Sequence, residues 1–254
     1  MSQEQFQNAL ALLIRCPDDH RMDEFPEFIN KFTLTDRERR QLKDLASQRA
    51  VTKYGWSMQG VRVENAIKKI GLLHHFVANE TLEWCWKKFE PHGIYKKSRF
   101  ITPWYMRFMY ENEECRKAIV AGGPDFVLDI LLYEIAQHSI RFDGFDPVVN
   151  EGSLLKDTGF VVTKMSHDIG AFINKMTRSQ TPIDSLRPEK REVYCLFVKD
   201  QETEYRLFEI EKETYLFLHS QKQYAEGKTN QLNSSSIPSS YEDLVSLGIV
   251  ENIN

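Results

Sequence analysis

The hydrophobic rhythm of the chain changes once. Up to about residue 145, apolar residues recur at helical spacing; beyond it, runs rich in Val, Tyr and Phe take over. Phe6, Leu10, Leu13 and Ile14 stand at i, i+4, i+7 and i+8, which predicts an amphipathic helix over 2–16 that stops before Pro17. "PEFINKF" follows as a short helical turn. Thr35 and Glu38 then form a capping-box pair that opens a long helical stretch running to "ENAIKKI", with Gly55 and Gly60 as places where it can kink or split. "HHFVANETLEWCWKKFEP" and "RFITPWYMRFMYENEECRKAIV" read as two more amphipathic segments, the first ended by Pro91. "PDFVLDILLYEIAQHSIRF" comes next, with Pro124 suited to a first helical turn. Residues 1–145 are therefore expected to form an all-helical domain of five or six helices.

"DGFDPVVNEGSLLKDTGF" is rich in Asp, Gly and Pro and marks a linker at 146–158. Beyond it, "GFVVTKM", "EVYCLFVKD" and "EYRLFEI" have strand composition, and the last two flank "DQET" as a hairpin would. In the middle strand Val193, Cys195 and Phe197 alternate with Tyr194, Leu196 and Val198, so both faces are expected to be covered. Helices are predicted at "SHDIGAFINKM", capped by Ser166 or His167, at "EKETYLFLHSQKQYAEG", ended by Gly227, and at "SYEDLVSLGIV". The last two are separated by the polar "KTNQLNSSSIPSS". The fold class is thus α+β: a helical N-terminal domain, then a small α+β domain at 159–254 with a three-stranded sheet, the content of a winged helix-turn-helix.

Composition narrows the function classes. Of 254 residues 28% are charged, with a net charge of −4, so the basic excess that tracks phosphates is missing and nucleic acid is not the expected partner. The start lacks a basic n-region and a long apolar h-region, and no apolar run approaches the roughly 20 residues of a membrane span. A soluble, cytoplasmic protein with no membrane contact is expected. Cys16, Cys85, Cys115 and Cys195 show no C-x-x-C spacing and read as reduced structural thiols.

Candidate chemistry centres on "DFVLDILLYEIAQHSIRFDGFD". Glu134 and His138 stand at i, i+4, with Asp129 on the same predicted helix. A carboxylate-bridged di-iron bundle would need a second such pair, and none is in view; the bland reading is a scaffold helix with paired polar groups. His74 and His75 are neighbours whose side chains diverge by about 100° on a helix. His167-Asp168 lies at a strand end without a Ser or Cys nucleophile in a recognisable setting, and reads as a helix cap. Trp84, Trp86, Trp104, Tyr105, Phe108 and Tyr110 crowd two segments that also carry Lys87, Lys88, Lys96, Lys97, Arg99 and Arg107. Such rings fill a core, or with Arg they anchor an interface. Gly122-Gly123-Pro124 lacks the Lys-Ser/Thr of a P-loop. Catalytic and metal-ligating residues are not expected in this chain.

As a whole, the order of "RAVTKYGWSMQGVRVENAIKKI", "PDFVLDILLYEIAQHSI", "GFVVTKMSHDIGAFINKM", a strand pair and "YEDLVSLGIV" resembles the partner proteins of multinuclear-iron peptide-modifying enzymes. That family includes the methanobactin-biosynthesis and 3-thiaglutamate-pathway partners, and its members were once described by a DNA-binding domain. "DILLYEIA" is the most family-like piece. The resemblance implies a non-catalytic subunit that pairs as a heterodimer with a separate TIM-barrel iron enzyme and helps to recruit a ribosomally made precursor peptide, probed through a domain similar to a RiPP recognition element. The oxidised residue of the precursor is expected to be a cysteine. Iron would belong to the enzyme, with no cofactor in this chain. By the same resemblance, Tyr205, Leu207 and Glu209 on one strand face, with Tyr241 and Leu244 opposite, would line the peptide groove. Trp104, Tyr105, Arg107, Tyr133, Glu134 and His138 would face the enzyme. Two alternatives from the residues themselves are a winged-helix transcription regulator and a helical-bundle metalloenzyme using Glu134 and His138.

Overall fold

The computed structural model describes residues 2–15, 25–90, 101–141, 154–157, 159–178, 182–200, 204–225, 241–247 and 249. It is a mixed α+β structure that is mostly helical, with eleven α-helices among the described residues. Two compact units divide the chain, one of residues 1–69 and 79–102, the other of 70–78 and 103–254. They part elsewhere than at the expected boundary near 145.

The first unit holds α1 (Ser2–Arg15), α2 (Phe25–Asn30), α3 (Asp36–Ser47), α4 (Arg49–Lys69) and α5 (Asn79–Phe89). The apolar stripe of α1 meets α2 and α3 around Ala9, Leu13, Phe28 and Leu42. Thr35 caps α3 as the sequence predicts: its Oγ1 accepts from the Glu38 N–H at 3.3 Å, and Glu38 Oε2 accepts from the Thr35 N–H at 2.8 Å. The long helical stretch breaks at Gln48, whose backbone is extended, and not at either glycine. α4 runs unbroken through Gly55 and Gly60, because the glycine penalty of about 1 kcal/mol is small beside the tertiary contacts of a 21-residue helix.

The second unit contains the 3-10 turn Leu73–His75, α6 (Ile101–Glu111) from Pro103 onward, α7 (Glu113–Gly122), α8 (Val127–Arg141), a sheet, and α9 (Ile169–Arg178), α10 (Lys212–Ala225) and α11 (Tyr241–Ser246). One amphipathic segment was predicted over 99–120; Asn112 divides it, accepting from the Cys115 N–H at 3.0 Å to start α7. Pro124 stands outside α8, its carbonyl accepting from the Val127 N–H at 3.0 Å.

The sheet is antiparallel in the order β1-β2-β3-β4, with β1 at Leu154–Asp157, β2 at Phe160–His167, β3 at Lys190–Asp200 and β4 at Glu204–Ile210. The three predicted strands are there, and the short β1 adds to them from within the segment expected as a linker. Gly159, at φ 85°, occupies the left-handed region between β1 and β2 that disfavours a Cβ. Val193 to Val198 are all buried, so β3 is covered on both faces as its composition predicts. Phe197 meets Tyr133 of α8 on one side. Tyr194, Leu196 and Val198 join Tyr215, Leu218 and Leu244 from α10 and α11 on the other. The unit is thus layered helix, sheet, helix.

α8 explains why the boundary shifts. It is buried at Val127, at every position from Asp129 to Ala136, and at Ser139 and Ile140. A helix apolar on nearly all sides needs cover on all sides, and α8 packs against all four strands, α7, α9 and the 3-10 turn.

Candidate peptide cleft and the polar residues of the central helix

β4 is an edge strand: among the described residues no further strand pairs beyond it. An open cleft of about 500 Å³ runs between its C-terminal half and α11, floored by Leu196, Phe208, Ile210, Leu244 and Leu247, with Glu209, Glu211 and Asp243 alongside. Phe208, Ile210 and Leu247 are half-buried, leaving apolar surface at the cleft.

This geometry corrects the expected groove. Tyr205 and Leu207 do not face α11, whereas Glu209 lines the cleft together with Leu244. The Tyr205 hydroxyl accepts from Gln137 Nε2 of α8 at 2.5 Å, its ring lies 5.7 Å from that of Phe197, and the Arg141 guanidinium sits 5.3 Å over it. Leu207 reaches toward Gly170 of α9, where an added Cβ would meet it at 3.5 Å. Glu209 accepts from Arg191 at 2.5 and 2.8 Å, and Arg191 also binds Asp168. Strand parity puts the even residues Phe208 and Ile210 on the α11 side. Leu244 belongs to the cleft as expected, and Tyr241 opens α11 with its side chain outside the described residues.

Asp129, Glu134, Gln137 and Ser139 of α8 each have hydrogen-bond partners within the unit. Asp129 accepts from the Ser166 N–H at 3.1 Å and from His167 Nδ1 at 2.7 Å, while His167 Nε2 lies 3.5 Å from Asp125. The buried carboxylate fixes the imidazole and ties the end of β2 to α8. Neither Ser166 nor His167 caps α9: both complete β2, and Asp168 takes the cap by accepting from the Ala171 N–H at 2.8 Å. Glu134 Oε1 accepts from the Leu72 N–H and from the Leu73 N–H at 3.3 Å, at the start of the 3-10 turn. Its Oε2 has no donor among the described residues. Burial pushes the Glu134 carboxyl up to about 7, against the pull of those two backbone donors. Burial and then the charge of Arg141 push His138 down to about 4.

The expected enzyme-facing set divides. Tyr105, Tyr133 and Glu134 are buried, so they serve the interior of the unit and present no contact surface. Burial raises the Tyr133 hydroxyl further out of its ordinary range. Trp104, Arg107 and His138 are half-buried; Arg107 lies 5.5 Å over the Trp104 ring and binds Glu111 at 2.9 Å. Trp86 is fully buried, whereas Trp84 is exposed with Lys88 5.3 Å over its ring. Lys96, Lys97, Arg99, Cys16 and Gly227 lie outside the described residues. Cys85, Cys115 and Cys195 are buried and, among the described residues, joined by no disulfide, and burial pushes Cys195 up to about 12.

One buried carboxylate carried no signal in the sequence. Glu90, at the end of α5 and fully buried, accepts from Gln59 at 2.7 Å, Arg62 at 2.7 Å and Trp86 Nε1 at 3.0 Å. Only the Trp86 to Glu90 spacing of one helical turn hints at it. These donors satisfy both oxygens, so Glu90 reads as an internal brace and not as a free acid. Among the described residues no group of three or more His, Cys, Asp or Glu is placed to hold a metal ion, and Glu134 with His138 gains no third ligand. No helix among them is long and apolar enough to cross a membrane. No protein-family model matches the sequence, and no curated protein matches it as a relative.

Proposed function

We propose that this protein is the non-catalytic partner subunit of a multinuclear-iron TIM-barrel oxygenase in a RiPP pathway. It pairs with that enzyme in the cytoplasm as a heterodimer and recruits the precursor peptide for oxidative modification of a cysteine. The α+β unit acts in the manner of a winged-helix RiPP recognition element, and iron resides in the enzyme. The observation that carries this reading is the β4 edge beside the open cleft against α11. An extended peptide gains main-chain hydrogen bonds from an unpaired strand edge, and its side chains gain register from the adjoining cleft.

Support also comes from the polar residues that looked most like chemistry. Asp129, Glu134 and Glu90 are each engaged by donors of this chain, as structural carboxylates are. The peptide enters on the side of Phe208, Ile210, Leu244 and Leu247, the opposite side of β4 from Tyr205 and Leu207.

Co-expression of the tagged chain with the iron enzyme encoded beside it tests the reading. A one-to-one complex is expected to co-purify, and modification of the precursor is expected to require both chains. An enzyme that neither co-purifies nor depends on this chain overturns the proposal.

A further inference from the structure

The cleft beside β4 has an uneven charge. Among the described residues three carboxylates, Glu209, Glu211 and Asp243, line it, and no Lys, Arg or His does. Glu209 is matched by Arg191, whose two hydrogen bonds to it turn that carboxylate toward the α9 side. Glu211 and Asp243 are exposed and stand where β4 ends and α11 begins, and Glu242 beside them is exposed as well. The apolar part of the cleft is offered by the half-buried Phe208, Ile210 and Leu247. The described lining of the cleft therefore combines apolar surface with carboxylates.

We infer that the segment bound here is cationic as well as apolar: an extended strand whose α11-facing side carries an aliphatic residue over Phe208 and Leu247 and, two positions away, a Lys or Arg drawn to Glu211 and Asp243. The inference rests on the reading of this unit as a peptide receptor and is independent of which enzyme it serves. Side chains of an added strand alternate between faces, so only residues two apart share the α11 side. An acidic residue at the same place would meet like charge beside a partly apolar wall, which disfavours it. The ion pairs formed are exposed, so their contribution is small singly and shows in discrimination and salt dependence more than in absolute affinity.

The test uses the full chain and three fluorescent peptides of about ten residues. The first carries Ile and Lys two positions apart on one face. The second replaces Lys by Glu, and the third moves Lys by one position to the other face. Binding is read by fluorescence anisotropy at low and high salt. The first peptide is expected to bind roughly tenfold more tightly than the second, by more at low salt, with the third between them. The double variant E211K/D243K is expected to reverse the order of the first two. Both substitutions are at exposed positions, and D243K alone provides the same readout at about half the effect if the double variant does not fold. Equal affinity for the first two peptides, a preference for the acidic one, or an order unchanged by charge reversal overturns the inference while leaving the receptor reading standing. Binding of none of the peptides overturns both.

Discussion

Glu134 takes its two hydrogen bonds from residues 61 and 62 positions earlier in the chain, and its proton equilibrium follows from that burial. In the folded state its carboxyl titrates near about 7; in an unfolded chain a Glu titrates near about 4.3. As pH rises the unfolded chain gives up this proton first. The stability the group contributes is whole below about pH 4.3 and is gone once pH has passed about 7, a swing of roughly 3–4 kcal/mol. His138 has the opposite sign. Its folded value of about 4 lies below the usual one, so its contribution is present above about pH 6.5 and is lost as pH falls toward 4. Between those limits the two slopes oppose one another. Glu134→Gln removes one of them while keeping a carbonyl for the Leu72 and Leu73 donors. Urea unfolding of both proteins across pH is expected to show the variant gaining on the wild type by roughly 3–4 kcal/mol from about pH 4 to pH 8. A constant difference would contradict this. Gly71 guards the same contact: an added Cβ would sit 2.9 Å from Glu134 Oε1. Because that oxygen is held by two donors and cannot swing away freely, Gly71→Ala is expected to cost about 1–3 kcal/mol, read as a lower urea midpoint.

At the scale of elements, local signals and distant ones separate cleanly. The capping box at Thr35 and Glu38 was legible because both partners lie within one turn. Its removal in Thr35→Ala is expected to cost about 1 kcal/mol and to lower the thermal midpoint by a few degrees. Gly60 misled, since a glycine in a helical pattern suggests a break. α4 is unbroken there, and a Cβ at Gly60 would meet nothing within 4 Å. Gly60→Ala is accordingly expected to raise stability by about 0.5–1 kcal/mol, checked in the same thermal melts. Strand composition located β2, β3 and β4, yet gave no means of choosing which face of β4 meets α11. Tyr205 and Leu207 on one face are as apolar as Phe208 and Ile210 on the other, and with no polar face to fix parity the two assignments are equivalent in sequence. Ser166 and His167 were plausible caps for the same reason that Asp168 is one, all three being polar residues at the strand-to-helix junction.

At the scale of the molecule, the compact units part at other places than 145, and α8 packs with the sheet that follows it as well as with the helix before it. Its apolar residues on every side were visible; that the cover includes a sheet made later in the chain was not. The membership of residues 70–78 in the second unit was equally hidden, since nothing local connects Leu72 to Glu134. A consequence is that residues 103–254 alone lack part of their own core. Ile70, Leu73 and Val77 are all buried, and the Glu134 carboxylate would lose both donors. The truncated chain 103–254 is expected to unfold at a lower urea concentration than the matching transition in the whole chain, with weaker near-ultraviolet dichroism from its aromatic side chains. A midpoint equal to the full chain's would show that the 70–78 segment contributes nothing to that core.

The partners of α8 also impose an order in time. A chain leaving the ribosome presents Leu72 and Leu73 first, then α8 with Glu134, and only afterwards Ser166 and His167, which Asp129 requires. One buried carboxylate of the helix thus finds its donors already made, and the other must wait for strand β2 to emerge. β4, whose Tyr205 meets Gln137 of the same helix, comes later still. The second unit can therefore close only after residue 210 has emerged, and a ribosome that stalls before that point leaves α8 with one face uncovered, the state that holdase chaperones recognise.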